Sequence, residues 1–119
     1  MIVSKSMTFD AAHFLPFYKG KCSNLHGHSW TIEFAVKGEV DKQTGMVIDF
    51  TDIKSFLDCV KEELDHTLLN DIIPNPTAEN ICYYIKDRLE SDDWGLGPVK
   101  LAWIKVWETS DSMAELLYD

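Results

Sequence analysis

Hydrophobic and polar positions along this chain trade places with two different periods. From His26 to Val40 they alternate. His26, His28, Trp30, Ile32, Phe34 and Val36 share one parity, so a regular strand puts all six on one face. Ile2 to Phe14 reads as an earlier strand with less clean alternation, and LPFYKGKCSN as the loop between the two. DKQTG ends the second strand, and MVIDF follows as a short apolar piece. The period then changes. Ile53, Phe56, Leu57, Val60 and Leu64 fall at steps of three and four, which is one face of a helix stopping near LDHTLLND. IIPNPT breaks the pattern. Thr77, after a proline and with Glu79 in the first turn, predicts the N-cap of a second helix. That helix buries Ile81, Tyr84 or Ile85, and Leu89, and ends before SDDWGLGP. VKLAWIKVWE, rich in β-branched and aromatic residues, reads as a strand, and SMAELLYD as the last one. The order β-β-α-α-β-β predicts an α+β fold: antiparallel hairpins with two helices packed on one face.

The 119 residues predict one domain over 1–119, long enough to bury roughly two-thirds of the unfolded chain's surface. No apolar run is long enough to span a membrane, and MIVSKSMTFD lacks the basic start and apolar block of a secretory signal. The formal net charge is −9 and the only arginine is Arg88, which argues against nucleic acid as a partner. Three cysteines at wide spacings do not make a disulfide framework, so a reducing cytoplasm is expected. Cys59 and Cys82 sit in helical patterns and read as core thiols, whereas Cys22 stands in a polar loop flanked by lysines.

His26 and His28 are two residues apart. On a strand their Cα atoms lie roughly 6.5–7 Å apart on one face, close enough for both rings to reach one ion at about 2.0–2.1 Å. Gly27 between them faces the other way and leaves room for close backbone approach. His13, at the end of the preceding strand, reaches the same place if the two strands pair. Three histidines with an open fourth position form a catalytic rather than a structural zinc arrangement, although neutral imidazole also suits other metals. The competing reading is a set of partly buried surface histidines.

Four further features carry candidate chemistry. Cys22, beside Lys19 and Lys21, is a general base or nucleophile, or an incidental loop cysteine. Asp65 and His66 form an acid–base pair, or a helix end carrying a histidine for dipole reasons; adjacent side chains seldom hydrogen-bond to each other. Glu108 shares parity with Ala102, Ile104 and Val106. A carboxylate on that apolar face needs a partner, such as a ring edge with two parallel N–H donors; otherwise it is simply exposed at the strand end. Thr77 and Glu79 are a helix start or part of a pocket.

Taken in order, FDAAHFLP, CSNLHGH, GMVIDF, LDHTLLND with NPTAEN, and VWET resemble the 6-pyruvoyl tetrahydropterin synthase family over almost the whole chain. The nearest likeness is to its bacterial 6-carboxytetrahydropterin-forming branch, which serves queuosine biosynthesis. HGH alone is a weak signature; the ordered set is specific. The resemblance implies the tunnelling fold, with trimers closing a barrel and two trimers stacking into a hexamer. It implies zinc on His13, His26 and His28, Cys22 as the proton-moving cysteine, Asp65 and His66 as a relay pair reaching a neighbouring subunit, and Glu108 as the anchor of the pterin ring. Thr77 and Glu79 match a pocket motif. Three residues separate Cys22 from His26, as in the carboxy branch. Asn24 stands where a basic residue is frequent, which leaves a pterin triphosphate to Lys19, Lys21 and Lys54. The implied reaction takes 7,8-dihydroneopterin triphosphate to 6-carboxy-5,6,7,8-tetrahydropterin, releasing acetaldehyde and triphosphate. The alternatives are triphosphate elimination without side-chain cleavage, and a non-catalytic metal- or pterin-binding domain.

Overall fold

The computed structural model describes residues 1–91 and 96–119, and the DDWG stretch of SDDWGLGP, 92 to 95, lies outside them. Four strands, β1 (Ile2–His13), β2 (His26–Lys37), β3 (Lys100–Thr109) and β4 (Ser112–Leu117), form one antiparallel sheet in the order 1-2-3-4. Two helices, α1 (Phe50–Leu64) and α2 (Ala78–Ser91), join β2 to β3. The α+β arrangement expected from the periodicity is present. The two hairpins are joined through β2 and β3, whose pairing runs from Thr31–Trp107 to Lys37–Lys100.

The alternation in β2 delivers Trp30, Ile32, Phe34 and Val36 to the buried face, and the helices cover that face. β1 alternates too, with Phe9, Ala11 and His13 fully inward. Its pattern is obscured in the sequence because Lys5 and His13 fall on the inward parity. Ile53, Phe56, Leu57, Val60 and Leu64 form the buried stripe of α1, and Ile81, Cys82, Ile85 and Leu89 that of α2. Cys82 is a core thiol, pushed up to about 11 by burial and then by Glu79. Cys59 departs from the expectation: it lies on the flank of the stripe and is only half-buried.

MVIDF makes no strand. Val47 and Ile48 pack against the core, and Asp49 caps α1 by accepting the Thr51 N–H at 2.8 Å. At α2 the Thr77 hydroxyl accepts the Asn80 N–H at 3.1 Å, the predicted cap. Tyr84 turns from the core stripe to Glu63, which also receives Arg88 and ties the helices together.

Candidate active site

Pairing of β1 with β2 sets His13 opposite His26 and Ala11 opposite His28. This register brings three imidazoles to the covered end of the sheet. Ring centroids are 4.5 Å apart for His13–His26, 4.9 Å for His26–His28 and 5.2 Å for His13–His28. Trp30 lies edge-on to His13 at 5.0 Å and to His28 at 5.3 Å, a wall against which two of the rings are fixed. Its own Nε1–H donates to the Ala11 carbonyl at 3.3 Å.

Backbone carbonyls set the tautomers. His13 Nδ1 stands 2.8 Å from the Pro76 carbonyl and His26 Nδ1 stands 2.7 Å from the Asn24 carbonyl. A carbonyl only accepts, so both Nδ1 atoms carry the proton and both Nε2 atoms present lone pairs. Those lone pairs face each other across 3.0 Å. Two acceptors at that distance repel unless a cation or proton lies between them. His28 Nε2 is buried, 3.2 Å from a Glu108 oxygen but outside hydrogen-bond geometry, so it too lacks a partner among the described residues. The same oxygen lies 3.3 Å from His13 Nε2. The four groups lie close enough to hold one metal ion, and carbonyl-oriented imidazoles are the usual second layer of such a site. The IIPNPT break is therefore more than a break, because its Pro76 carbonyl orients a ligand.

Burial is the main cause that lowers the His28 pKa below 6.5; His13 and His26 add to it and Glu108 opposes it. The ring is neutral at pH 7, as ligation requires. A depressed histidine favours the fold above its ordinary pKa and loses that advantage as pH falls through the folded value. Metal occupancy is therefore expected to hold at pH 7 and to fall only once the pH drops below the lowered His28 value, beneath 6.5, which equilibrium dialysis against a metal buffer measures.

Glu108 stands at a β-bulge, where the β3–β4 register shifts between Trp107 and Thr109. Glu108 keeps the parity of the buried Ala102, Ile104 and Val106, so the ordinary pleat turns it to the covered face with the histidines. It also lines a cavity of about 390 Å³ with Glu79, Ala78 and the β4 residues Ser112–Glu115. A larger hollow of about 660 Å³, between Glu39–Asp49 and Pro98–Val99, shares no residue with the histidine cluster.

The remaining candidates are not part of that convergent group. Cys22 lies in a 3-10 turn, Lys21–Ser23, on the loop between the two ligand-bearing strands, and its carbonyl accepts the Leu15 N–H at 2.9 Å. Lys21 and Lys19 are exposed beside it. Asp65 caps the end of α1, and its Oδ2 meets Nδ1 of His66 at 3.0 Å. Adjacent side chains do pair here, contrary to expectation, because His66 takes a left-handed backbone with φ 57°. With Asp10 they make a second polar cluster. Gly27 is not forced to be glycine within the chain, since an added Cβ would meet the Ala11 carbonyl at 3.6 Å, an ordinary contact.

Sequence reasoning missed two polar side chains that hold this region. Asn70 clamps Phe14, accepting its N–H at 3.0 Å and donating to its carbonyl at 2.9 Å, so it fixes the loop where it leaves His13. Asp10 receives the Ser29 hydroxyl at 2.5 Å. Neither has a local sequence signal, because each partner is far along the chain.

Three imidazoles and a carboxylate converge at the end of an antiparallel sheet in this α+β protein, a group that could hold one metal ion. The sequence profile of the 6-pyruvoyl tetrahydropterin synthase family matches residues 2–118, and the chain belongs to that family. It is a lyase of this pterin-processing class. It is 40% identical over 120 residues to a 6-carboxy-5,6,7,8-tetrahydropterin synthase of Synechocystis, covering 95% of this chain and 90% of its relative. It is likewise 40% identical over 109 residues to a dihydroneopterin monophosphate aldolase of Pyrococcus furiosus, covering 92% of this chain and 90% of that one. The fold matches the solved 6-pyruvoyl tetrahydropterin synthase of Caenorhabditis elegans with a TM-score of 0.84 at 25% identity, covering 100% of this chain and 96% of the other.

Proposed function

We propose that this protein is a zinc-dependent 6-carboxy-5,6,7,8-tetrahydropterin synthase. It takes 7,8-dihydroneopterin triphosphate and water to 6-carboxytetrahydropterin, acetaldehyde and triphosphate, in the cytoplasm, on the route to queuosine and related deazapurines. The observation that carries this reading is the convergence of proton-free Nε2 atoms beside a carboxylate that also lines a ring-sized cavity. Three imidazoles favour zinc, which supplies Lewis-acid polarisation of the substrate's side-chain hydroxyls when bound.

Glu108 accepts the two parallel N–H groups of the pterin's amino-pyrimidine edge, rather than closing the metal's fourth position, because one side of it already faces the cavity. Glu79 lines that cavity and Thr77 fixes the start of the helix that carries Glu79. Cys22 moves the proton and exchanges it with the Asp65–His66 dyad. Lys21 and Lys19 beside Cys22 receive the triphosphate; Lys54 is already held by Asp58 at 2.7 Å.

Cross-strand partners share a face, so Asp10 and Ser29 lie on the open face of the sheet while Ala11 and His28 lie on the covered one. The dyad sits along the free edge of β1, bonded to the Asp10 and Ala12 backbone, and neither of its residues belongs to the group in which the chain's own histidines converge. The dyad therefore serves the metal site of a neighbouring subunit, in a hexamer of two trimers. Phe17, Tyr18 and Leu25 are exposed around the Cys22 loop, as a surface covered by another copy would be.

A second reading, cleavage of a dihydroneopterin monophosphate, rests on the equal identity to the Pyrococcus aldolase and on the scarcity of cations in a chain of charge −9. One experiment separates the readings: zinc-loaded protein is incubated with each phosphate ester and the products are identified. Acetaldehyde together with triphosphate supports the synthase. Triphosphate without aldehyde indicates a pyruvoyl-forming enzyme. A phosphorylated two-carbon aldehyde from the monophosphate indicates the aldolase, and bound zinc without turnover indicates a binding domain.

A further inference from the structure

His66 is the one non-glycine among the described residues with a positive φ. Left-handed backbone is sterically disfavoured for an L-residue, so the surroundings must hold it. Three contacts with β1 do. The His66 N–H donates to the Asp10 carbonyl at 2.6 Å, the Asp10 N–H donates to Asp65 Oδ1 at 2.9 Å, and the Ala12 N–H donates to the Thr67 carbonyl at 3.0 Å. All use β1 backbone, which any residue would supply.

The Asp10 side chain adds something that backbone does not. Its Oδ1 accepts the Ser29 hydroxyl, and a carboxylate oxygen of Asp10 lies within 4.8 Å of the polar atoms of both Asp65 and His66. The imidazole thus has carboxylates from two elements of the fold, with Lys61 the cation nearest Asp65. The His66 side chain is 79% exposed, so packing does not orient it and polar contacts must. Asp65 engages Nδ1 and leaves Nε2 free of that contact, and the ring borders a groove of about 560 Å³ that Asp10, Gly27, His28, Ser29 and Thr67 also line.

We infer that Asp10 is a positioning residue: anchored by the Ser29 hydroxyl, its carboxylate fixes the ring orientation and tautomer in which His66 presents Nε2 to the groove. This rests on the role given above to the Asp65–His66 dyad. Asp10 acts through His66, so its effect is expected on turnover.

Asp10→Ala keeps every β1 backbone contact and is expected to lower kcat about tenfold with KM and metal content unchanged. Ser29→Ala should show a smaller loss in kcat, and Ser29→Thr, which restores the hydroxyl, should recover it. In a His66→Ala background Asp10→Ala should cost nothing further, since both act through one ring. Wild-type kcat in Asp10→Ala while His66→Ala is inactive overturns the inference and leaves the dyad standing. A further loss on the His66→Ala background also overturns it. Wild-type kcat in His66→Ala overturns the dyad reading and this inference with it.

Discussion

Replacing His28 with alanine removes metal and activity together, and leaves the metal-free protein no less stable. His28 Nε2 is buried without a hydrogen-bond partner, and its neighbours His13 and His26 set two lone pairs 3.0 Å apart. Without a cation this cluster is a liability, because an unsatisfied buried polar atom costs about 1–3 kcal/mol. Alanine relieves that cost in the metal-free state. With metal the sign reverses: the wild type gains binding free energy that the variant cannot. The thermal unfolding midpoints should therefore cross. In chelator the variant matches or exceeds the wild type; with metal added only the wild type rises. Loss of the Lewis acid removes several kcal/mol of transition-state stabilisation, so kcat/KM falls on the order of 10³-fold or more. Metal content by elemental analysis, unfolding with and without chelator, and turnover together check this. A variant that keeps one metal per chain would show that the histidines are not its ligands.

The covered face of the sheet was legible in the sequence because one parity carries Trp30, Ile32, Phe34 and Val36, and the same parity carries two of the three converging histidines. His13 was legible only on the condition that β1 pairs with β2, which the His13–His26 register satisfies. Glu108 was legible as a carboxylate on an apolar parity, and that parity faces the imidazoles; what local pattern does not announce is the pairing of β3 with β2 that brings it within reach of His13 and His28. The dyad was harder still. LDHTLLND reads as a helix end, and it is one; Asp65 does cap α1. What makes His66 more than a capping histidine is backbone supplied by Asp10 from β1, far away in the chain. Period and propensity describe neighbours within a turn or a strand, whereas strain at His66 is maintained by tertiary contacts alone.

That placement leads to the second large effect, in which Cys22→Ala and His66→Ala are each nearly inactive and restore one another when mixed. Each should lose roughly 10²–10⁴-fold in kcat while retaining metal, because general acid–base groups contribute on that scale and neither residue belongs to the ligand cluster. In one chain His66 sits at the edge of β1, outside the group in which its own imidazoles and Glu108 converge. If the cysteine of one subunit works with the histidine of the next, a mixed assembly contains sites in which both groups are intact. Random mixing across a symmetric interface should then return roughly a quarter of wild-type activity. The variants are co-expressed with different tags, the doubly tagged assembly is purified, and its turnover is measured per metal-loaded site. Recovery requires a shared site, since two chains each lacking one group cannot repair a site built within a single chain. No recovery in an assembly of confirmed mixed composition would put Cys22 and His66 in the same subunit's site, and would require the exposed loop around Leu25 to fold back toward the open face.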